Sequence, residues 1–310
     1  MAKKVCDIKQ MTREEWLEVR RQGIGGSDAG SVMGMSPWRD ALTLYADKLG
    51  MLEDKQTNEA MRIGTDLEQY VADRFCEATG KKVRRSNYMW QSEEHHFMLA
   101  DIDREIVGEN AALECKTTSA FTKYDLEAGE IPAQYYCQVQ HYISVMGYDY
   151  MYIAFLVMGV GFYWHKVEKN EDFIKALIER EEDFWTNNVL KEVPPQADGS
   201  ESSLDTLSRM YPQSNDTLTV NLSCESEITE YLELKDIEKR TKARMDEIKA
   251  HIAQELEEAS TGETDKYIIT YKTQTRESLD SKALKADMPD IYAKYAKSSS
   301  SRVLRTKERK

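Results

Sequence analysis

The sequence predicts an α/β protein whose central mixed β-sheet is flanked by helices, with a helical and basic extension towards the C-terminal end. Three observations lead to this fold class. Segments with apolar residues at helical spacing alternate with short β-rich segments. The strand-like segments lie on both sides of a helical one, which is an α/β pattern. With 310 residues, 41% of them hydrophobic, the chain can bury one large core or two unequal ones.

The first elements are defined by their start and stop signals. Thr12 and Glu15 form a capping-box pair, so a helix is predicted from "TREEW" onward. The glycine-rich stretch "GIGGSDAG" then predicts a turn. Residues 59–80 have apolar side chains at helical spacing and end at Gly80, which predicts a second helix.

The next elements supply the predicted sheet and its helices. Residues 148–164 are apolar enough to suggest a membrane segment, but Gly159 and Gly161 divide them into two β-rich runs, so we predict a hairpin. The other elements are predicted as strands at 96–107 and 111–117 and as helices at 132–147 and 171–190, the last stopped by Pro194 and Pro195.

The C-terminal third differs in composition. Residues 196–224 are rich in Ser, Asp and Asn, which is typical of a linker or an irregular excursion. Residues 225–259 predict a long charged helix whose apolar stripe is a packing or oligomer face, and residues 266–276 alternate as a strand. We therefore divide the chain into a core at 1–195, the linker at 196–224, and a long helix with a basic segment at 225–310.

Cysteine usage and the N-terminus restrict the cellular setting. No apolar run follows the basic residues at the N-terminus, so no signal peptide is predicted and we expect a cytoplasmic protein. The cysteines are odd in number and scattered without a CxxC pair, which argues against a disulfide framework, a zinc site and an iron–sulfur cluster. They are Cys6, Cys76, Cys115, Cys137 and Cys224.

Charge is distributed unevenly along the chain. The formal net charge is -13, yet residues 266–310 carry 12 basic and 5 acidic side chains, a net charge of +7. A basic end on an acidic body can bind a polyanion, and it can also be a solvated arm. Both interpretations stay open from composition alone.

The stretch "LECKTT" places a carboxylate and an ammonium group two residues apart. In a strand, Glu114 and Lys116 point to the same face, and the short turn "VGEN" brings Asp103 beside them. Two carboxylates and the carbonyl oxygen of Cys115 are hard oxygen ligands suited to Mg²⁺. A cross-strand ion pair fits the same spacing, so the pattern alone supports a catalytic site and a structural pair equally.

Three further blocks accompany this one. They are "WLEVRRQGIGGSDAG", "IGTDLEQYVADRF" and "QYYCQVQHY", with "DIDR…LECK" between the second and the third. In this order and spacing they resemble the YqaJ-type phage recombination nucleases and, more distantly, lambda exonuclease, which are members of the PD-(D/E)xK nuclease superfamily. The resemblance runs from about Trp16 to Trp164 and implies a PD-(D/E)xK nuclease core at residues 1–195.

The resemblance implies a role for each matching residue. Asp103, Glu114 and Lys116 would form the catalytic triad, with the metal held by Asp103, Glu114 and the Cys115 carbonyl. The remaining positions are Glu68 as a helical acid supporting the metal site, Gln138 as the residue that orients the nucleophilic water or the lysine, Tyr135 beside it, and Arg20 and Ser27 as contacts of the terminal phosphate.

Two positions depart from the family pattern. Ile102 stands where the family usually has a proline before the first catalytic aspartate. Asp101 stands where lambda exonuclease has a serine that helps to bind the 5′ phosphate. Contact with a second metal ion and a solvated role are both open for Asp101. The glycine-rich turn likewise fits either direct phosphate contact or plain entry into a helix.

By resemblance, the function is that of a Mg²⁺-dependent double-stranded DNA exonuclease that works 5′ to 3′ and leaves 3′ overhangs for recombination by strand annealing, with Mn²⁺ as a substitute metal. The implied partners are double-stranded DNA ends, a single-strand annealing protein and further copies of the chain, in a trimeric ring without membrane contact. The implied setting is a bacterial host cell, with a phage or prophage origin.

Two alternatives use the same residues differently. A structure-specific or restriction-type endonuclease would have the same metal site. A DNA-end-binding or partner-recruiting module would have a degenerate one, although the complete Asp, Glu, Lys and Gln set argues against degeneracy.

Overall fold

The computed structural model describes residues 2–53, 58–298 and 301–307. Contacts between these residues divide the chain into two units. One unit comprises Met1–Pro212 with Arg302–Lys310, and the other comprises Gln213–Ser301.

The first unit contains the strands and helices that surround the predicted site. Its strands are β1 (Ala2–Asp7), β2 (Ile24–Gly25), β3 (Val83–Arg85), β4 (Tyr88–Ser92), β5 (Met98–Asp101), β6 (Arg104–Ile106), β7 (Ala112–Thr118), β8 (Tyr150–Val157) and β9 (Gly161–Glu168). Its helices are α1 (Arg13–Arg21), α2 (Gly26–Val32), α3 (Ala41–Lys48), α4 (Glu59–Thr79), α5 (Lys123–Glu127), α6 (Ala133–Met146), α7 (Glu171–Asp183) and α8 (Glu201–Met210).

A five-stranded mixed sheet forms the centre, in the order β3-β6-β7-β8-β9. Strands β7 and β8 are parallel, and the other neighbouring pairs are antiparallel. The predicted mixed sheet and the hairpin of β8 and β9 are therefore confirmed. Helix α6 lies between β7 and β8 in the sequence, as a connection between parallel strands requires.

A second, four-stranded sheet in the order β1-β4-β5-β2 adjoins the first. The segment 96–107, expected as one strand, is two strands that belong to different sheets. The break falls at Ile102 and Asp103, because β5 pairs with β4 while β6 pairs with β3 and β7. The change of sheet places Asp103 at the junction.

The central sheet is covered on both faces. On one face, Val71 and Phe75 of α4 pack against Leu113 in one apolar cluster. On the other, Val139 of α6 packs with Ala112 in a second cluster. Neighbouring residues of β7 thus enter different cores, as the two-residue period of a strand requires.

Several predicted helix limits are close to the observed ones. The capping box of Thr12 and Glu15 is present at the start of α1. Helix α4 ends at Gly80, whose φ of 72° is the left-handed conformation that glycine adopts without strain. Helix α7 continues as a π-helical turn through Phe184–Val189 before the two prolines.

The segment expected to be irregular at 196–224 includes the helix α8. Its N-cap is Ser200, which accepts a hydrogen bond from the backbone N–H of Ser203. Thr206 is buried and its hydroxyl lies 2.8 Å from that of Thr43 in α3. Polar side chains anchor this helix, which is why its Ser-rich composition resembles a linker.

The second unit consists of α9 (Glu225–Leu256), β10 (Thr261–Glu263), β11 (Ile268–Thr270), α10 (Ser281–Asp287) and α11 (Pro289–Tyr295). Helix α9 confirms the predicted long helix. The strand expected at 266–276 is limited to the three residues of β11, which pair with β10. No helix of the described residues is both long enough and apolar enough to cross a membrane.

Candidate active site

Strand β7 sets the geometry of the predicted site. Glu114 and Lys116 point from β7 to the face covered by α6, and the Lys116 ammonium donates a hydrogen bond of 2.6 Å to Oε1 of Glu114. Glu114 is only 3% exposed. The two charges that the sequence placed on one face are therefore in direct contact in a buried location.

Helix α6 brings Gln138 to the same carboxylate. Its side-chain N–H donates to Oε1 of Glu114 at 2.6 Å and to the hydroxyl of Tyr142 at 3.3 Å. Oε2 of Glu114 is buried and has no hydrogen-bond partner among the described residues. One oxygen of Glu114 is thus held by two donors, and the other has no donor in the described part of the chain.

Asp103 completes the acidic pair from the junction of the two sheets. Its Oδ2 accepts a hydrogen bond of 2.7 Å from the backbone N–H of Cys115. Burial and the neighbouring Glu114 raise the pKa of Asp103 well above its usual range. Burial also raises the pKa of Glu114, although the Lys116 ammonium opposes this shift.

These residues fit a hard divalent cation. Two carboxylates with raised pKa values and one unpartnered buried oxygen form an arrangement that a positive charge would stabilise. In the described part of the chain, no three His, Cys, Asp or Glu side chains are grouped as metal ligands. The predicted donors Asp103, Glu114 and the Cys115 carbonyl are oxygen ligands of the kind suited to Mg²⁺, which keeps several water ligands.

Lys116 is held as a cation. Burial lowers its pKa, but the charges of Glu114 and Asp103 outweigh burial and raise the pKa above the ordinary lysine value. The ammonium also lies 5.4 Å from the ring centroid of Tyr135, the first tyrosine of the "QYYCQVQHY" block. Burial raises the pKa of Tyr135, so its hydroxyl remains protonated.

Glu68 projects from α4 towards the same region. It lines a cavity of about 1090 Å³ together with Asp103, Glu114, Cys115 and Lys116. Its Oε1 accepts hydrogen bonds from two arginines, Arg85 and Arg104, of which Arg104 is only 2% exposed. The helical acid is therefore near the carboxylate pair and is neutralised by two cations.

The predicted phosphate contacts meet on the other side of the acidic pair. Arg20 donates a 2.7 Å hydrogen bond to the hydroxyl of Ser27 and lies 4.7 Å from the ring centroid of Trp16. The indole N–H of Trp16 donates to Asp101 at 3.2 Å. Burial raises the pKa of Asp101, and the hydrogen bond from Trp16 opposes this shift.

A second, smaller cavity of about 160 Å³ connects the two groups of residues. Arg20 and Ser27 line it together with Asp103, Glu114 and Gln138. Asp101 and Trp16 also line this cavity. The structure therefore brings the proposed phosphate contacts and two of the proposed metal ligands, Asp103 and Glu114, to one cavity.

Sequence reasoning missed a buried charge cluster behind Arg20. Asp28 is fully buried and accepts hydrogen bonds from Lys48 at 2.7 Å, from Arg39 and, at 3.4 Å, from Arg20. Burial alone would raise the pKa of Asp28, but the three cations hold it well below its usual range. In the sequence, Asp28 stands next to Ser27 in "GGSDAG", and this position indicates none of its three partners.

The glycine-rich turn has a packing role. A Cβ atom on Gly26 would lie 2.4 Å from the ring of Tyr142, so only glycine permits this approach of α2 to α6. Tyr142 in turn contacts Gln138. His141, three residues after Gln138 on α6, is buried; its ring contacts Glu181 and the carbonyl of Leu99 and does not reach the site.

Comparison with known proteins gives the family. A profile described as the YqaJ-like viral recombinase domain matches residues 15–149. The chain is 36% identical over 293 residues to an uncharacterized protein YqaJ of Bacillus subtilis (strain 168), covering 93% of this chain and 92% of that protein. The chain belongs to the YqaJ family. The YqaJ profile spans every site residue discussed above, from Trp16 to Tyr142, apart from the buried Glu181.

Two other comparisons gave matches. Protein D345L of African swine fever virus is 30% identical over 76 residues, which is 24% of this chain and 22% of that protein. An alkaline exonuclease from Laribacter hongkongensis has a TM-score of 0.50 and 19% identity, covering 58% of this chain and 94% of that one. At this identity the similarity shows a common fold, and the predicted α/β fold class with a mixed sheet flanked by helices is confirmed.

Proposed function

We propose that this YqaJ family member is a Mg²⁺-dependent exonuclease that degrades one strand of duplex DNA from its 5′ end and leaves 3′ overhangs for strand annealing. The observation that carries the proposal is the small cavity that joins Arg20 and Ser27 to Asp103 and Glu114. The shared fold with a protein named as an alkaline exonuclease, also solved in complex with dAMP, supports a nuclease.

Asp103, Glu114 and the Cys115 carbonyl would hold the ion. When bound, Mg²⁺ would activate water and neutralise charge at the cleaved phosphate. Gln138 fixes the orientation of Glu114 through the hydrogen bond to Oε1. Lys116, kept protonated by its acidic neighbours, supplies a positive charge beside the scissile group and a proton for a departing oxygen.

The proposed 5′ polarity is supported by Arg20, a cation that lines the small cavity. A terminal phosphate carries more negative charge than an internal diester, and a planar guanidinium binds phosphate oxygens through two parallel hydrogen bonds. Arg20 is held in place by Ser27, Asp28 and the Trp16 ring. Holding the terminal phosphate there would place the next phosphodiester over the carboxylate pair.

Digestion of end-labelled DNA tests this proposal. With Mg²⁺, or with Mn²⁺ in its place, we expect linear duplex to lose nucleotides from the 5′-labelled strand, faster with a 5′ phosphate than with a 5′ hydroxyl. EDTA should stop the reaction, and covalently closed circles should stay intact. Cleavage of closed circles would indicate an endonuclease, and binding to ends without cleavage would indicate a recruiting module.

Lys116→Ala provides the sharpest test of the site. Removal of its charge should lower the rate by about 10²-fold or more, because the positive charge beside the cleaved phosphate is lost. Lys169, an exposed lysine paired with Glu171, serves as the matched control, and Lys169→Ala should keep the wild-type rate. A wild-type rate in Lys116→Ala would refute the catalytic assignment of "LECKTT".

The family resemblance also supports two proposals about assembly. We propose a trimeric ring around the duplex, which sedimentation of the full chain would test. We further propose that a single-strand annealing protein binds the chain, which co-purification with a phage annealing protein would test.

A further inference from the structure

An exposed tryptophan lies on a firmly anchored loop beside the large cavity. Trp38 is 60% exposed and belongs to the loop at 35–40 between α2 and α3. Before it, the backbone N–H of Ser36 donates to the carbonyl of Gly30 at 3.0 Å. After it, Asp40 caps α3. The loop is thus fixed at both ends while its large apolar side chain faces solvent.

Trp38 is connected to the catalytic lysine through an aromatic contact. Its ring centroid lies 6.0 Å from that of Tyr135, and the Tyr135 ring lies 5.4 Å from the Lys116 ammonium. Trp38 and Tyr135 line the cavity of about 1090 Å³ together with Asp103 and Glu114. The indole is therefore near the place where a phosphodiester would be cleaved.

We propose that Trp38 is a positioning residue that stacks on a nucleobase of the degraded strand, next to the cleaved phosphodiester. This inference rests on the proposed exonuclease function. An exposed indole offers a flat apolar surface, and stacking of a base on such a surface is strong and tolerant of sequence. The rigid loop adds to the effect, because little conformational freedom is lost when the base binds. A stacked base would hold the strand in register between the terminal-phosphate contacts and the carboxylate pair.

Binding to abasic substrates tests the contact directly. A 5′-phosphorylated duplex would be prepared intact and with a single abasic residue at each of the first three positions of the 5′ strand. Affinity would be measured by fluorescence anisotropy with Ca²⁺ in place of Mg²⁺, to separate binding from cleavage. The proteins would be the full-length wild type, Trp38→Ala, Trp38→Phe and the control Tyr70→Ala. Tyr70 is 50% exposed on α4 and is not among the residues lining the cavity.

For the wild type, an abasic residue at one of the three positions should weaken binding on the order of tenfold. Trp38→Ala should bind intact duplex more weakly than the wild type does, by a similar factor. Its affinity should not fall further when the abasic residue is at that position. Trp38→Phe should keep most of the affinity, and Tyr70→Ala should bind like the wild type.

Three outcomes would overturn the inference. Trp38→Ala could bind intact duplex like the wild type, or keep the full sensitivity to each abasic position. It could also lose affinity only together with a change in sedimentation, which would make Trp38 an interface between copies of the chain. Failure of the proposed function is a separate result, since it would appear as a wild-type protein that leaves end-labelled linear duplex intact with Mg²⁺.

Discussion

Asp103 and Glu114 form a pair of neighbouring carboxylates that is unfavourable while both are charged. Burial and mutual repulsion raise the pKa of Asp103 well above its usual range, so the folded state binds a proton more tightly than the unfolded state does. Asp103 therefore lowers the stability of the metal-free chain as the pH rises through its folded pKa. A bound cation would reverse this effect, because it favours the charged form.

Asp103→Asn should therefore stabilise the metal-free protein at neutral pH. We expect a rise in melting temperature of about 2–4 °C, which corresponds to roughly 1 kcal/mol for a domain of this size. Mg²⁺ should raise the melting temperature of the wild type but not of the variant. The wild-type effect should shrink as the pH falls, because protons then compete with the metal. Equal shifts by Mg²⁺ in both proteins, measured by thermal unfolding from pH 5 to 8, would exclude Asp103 as a ligand.

Asp28 has the opposite relation to pH. Its pKa is held well below the usual range by Lys48, Arg39 and Arg20 despite burial. The group therefore contributes stability above the unfolded pKa of about 3.9, and that contribution is lost as the pH falls below it towards the folded pKa. Burial lowers the pKa of Lys48 even though Asp28 opposes the shift, so the cluster depends on the carboxylate.

Asp28→Asn should accordingly lower the free energy of unfolding strongly at neutral pH. Removal of one partner from a buried ion pair costs about 3–5 kcal/mol, because the remaining charges stay buried without compensation. The difference from the wild type should narrow below about pH 4, where Asp28 of the unfolded wild-type chain binds a proton while folded Asp28 stays charged. Asp47, which is 39% exposed and pairs with the same Arg39, gives a matched control, and Asp47→Asn should cost less than about 1 kcal/mol. Denaturant unfolding of both variants at pH 7 and pH 3.5 decides between these outcomes.

At the residue scale, the sequence predicted contacts correctly where the spacing of two residues determines the direction of their side chains. Glu114 and Lys116 are two apart on a strand, so their contact could be predicted from the period of the strand alone. The cluster around Asp28 could not be predicted, because its partners lie 11 and 20 residues away, one in the loop before α3 and one in α3. No local period relates such positions. The closeness of Arg20 to the carboxylate pair came from family resemblance, and the cavity between them became visible only in the structure.

At the element scale, the site depends on how closely α2 approaches α6. Gly26 starts α2 and lies against the ring of Tyr142, which contacts Gln138. The glycines in the sequence predicted a turn here. They did not decide whether the turn contacts a phosphate or only leads into a helix. The strand limits were harder to predict, because nothing in 96–107 signals that β5 and β6 pair with different sheets. The hydrogen-bonding partners of a strand decide where it ends, and those partners are distant in sequence.

Gly26→Ala tests this helix contact. A Cβ atom would lie 2.4 Å from the Tyr142 ring, so the helices must separate or the ring must move. We expect a loss of about 1–3 kcal/mol in the free energy of unfolding, as for other overpacked cores. Gly64 is the control, because a Cβ there would meet only Thr117 at 3.4 Å. Gly64→Ala in the middle of α4 should stabilise the protein by up to about 1 kcal/mol. Similar stability of the two variants in denaturant unfolding would contradict the close approach.

At the scale of the whole molecule, charge poses the main question. A chain with a net charge of -13 must bind a polyanion through local groups. The basic residues at 266–310 are the strongest such concentration in the sequence, and those at 302–307 group with the first unit, which contains the site. Release of counterions from DNA makes the salt dependence of binding a measure of how many cations contact phosphate.

We call residues 266–310 the basic tail. Neutralising cations at the end of this tail should therefore flatten the salt dependence of duplex binding. Five exposed cations, replaced together by Gln, are suitable: Lys294, Lys297, Arg302, Arg305 and Lys307. The slope of log affinity against log salt should fall by roughly 0.9 for each cation that contacts a phosphate.

The control removes the same amount of charge elsewhere. It replaces five exposed cations of α9 by Gln, namely Lys235, Lys239, Arg240, Lys242 and Arg244. Both variants have the same net charge, so a general electrostatic effect would change their slopes equally. Contact between the tail and DNA phosphates would change only the slope of the tail variant. A tail variant that keeps the wild-type slope but no longer binds an annealing protein would show that the tail docks a partner. In that case we expect DNA affinity to come from Arg20 and the cations around the candidate active site, and Arg20→Ala should lower the slope that the tail variant leaves unchanged.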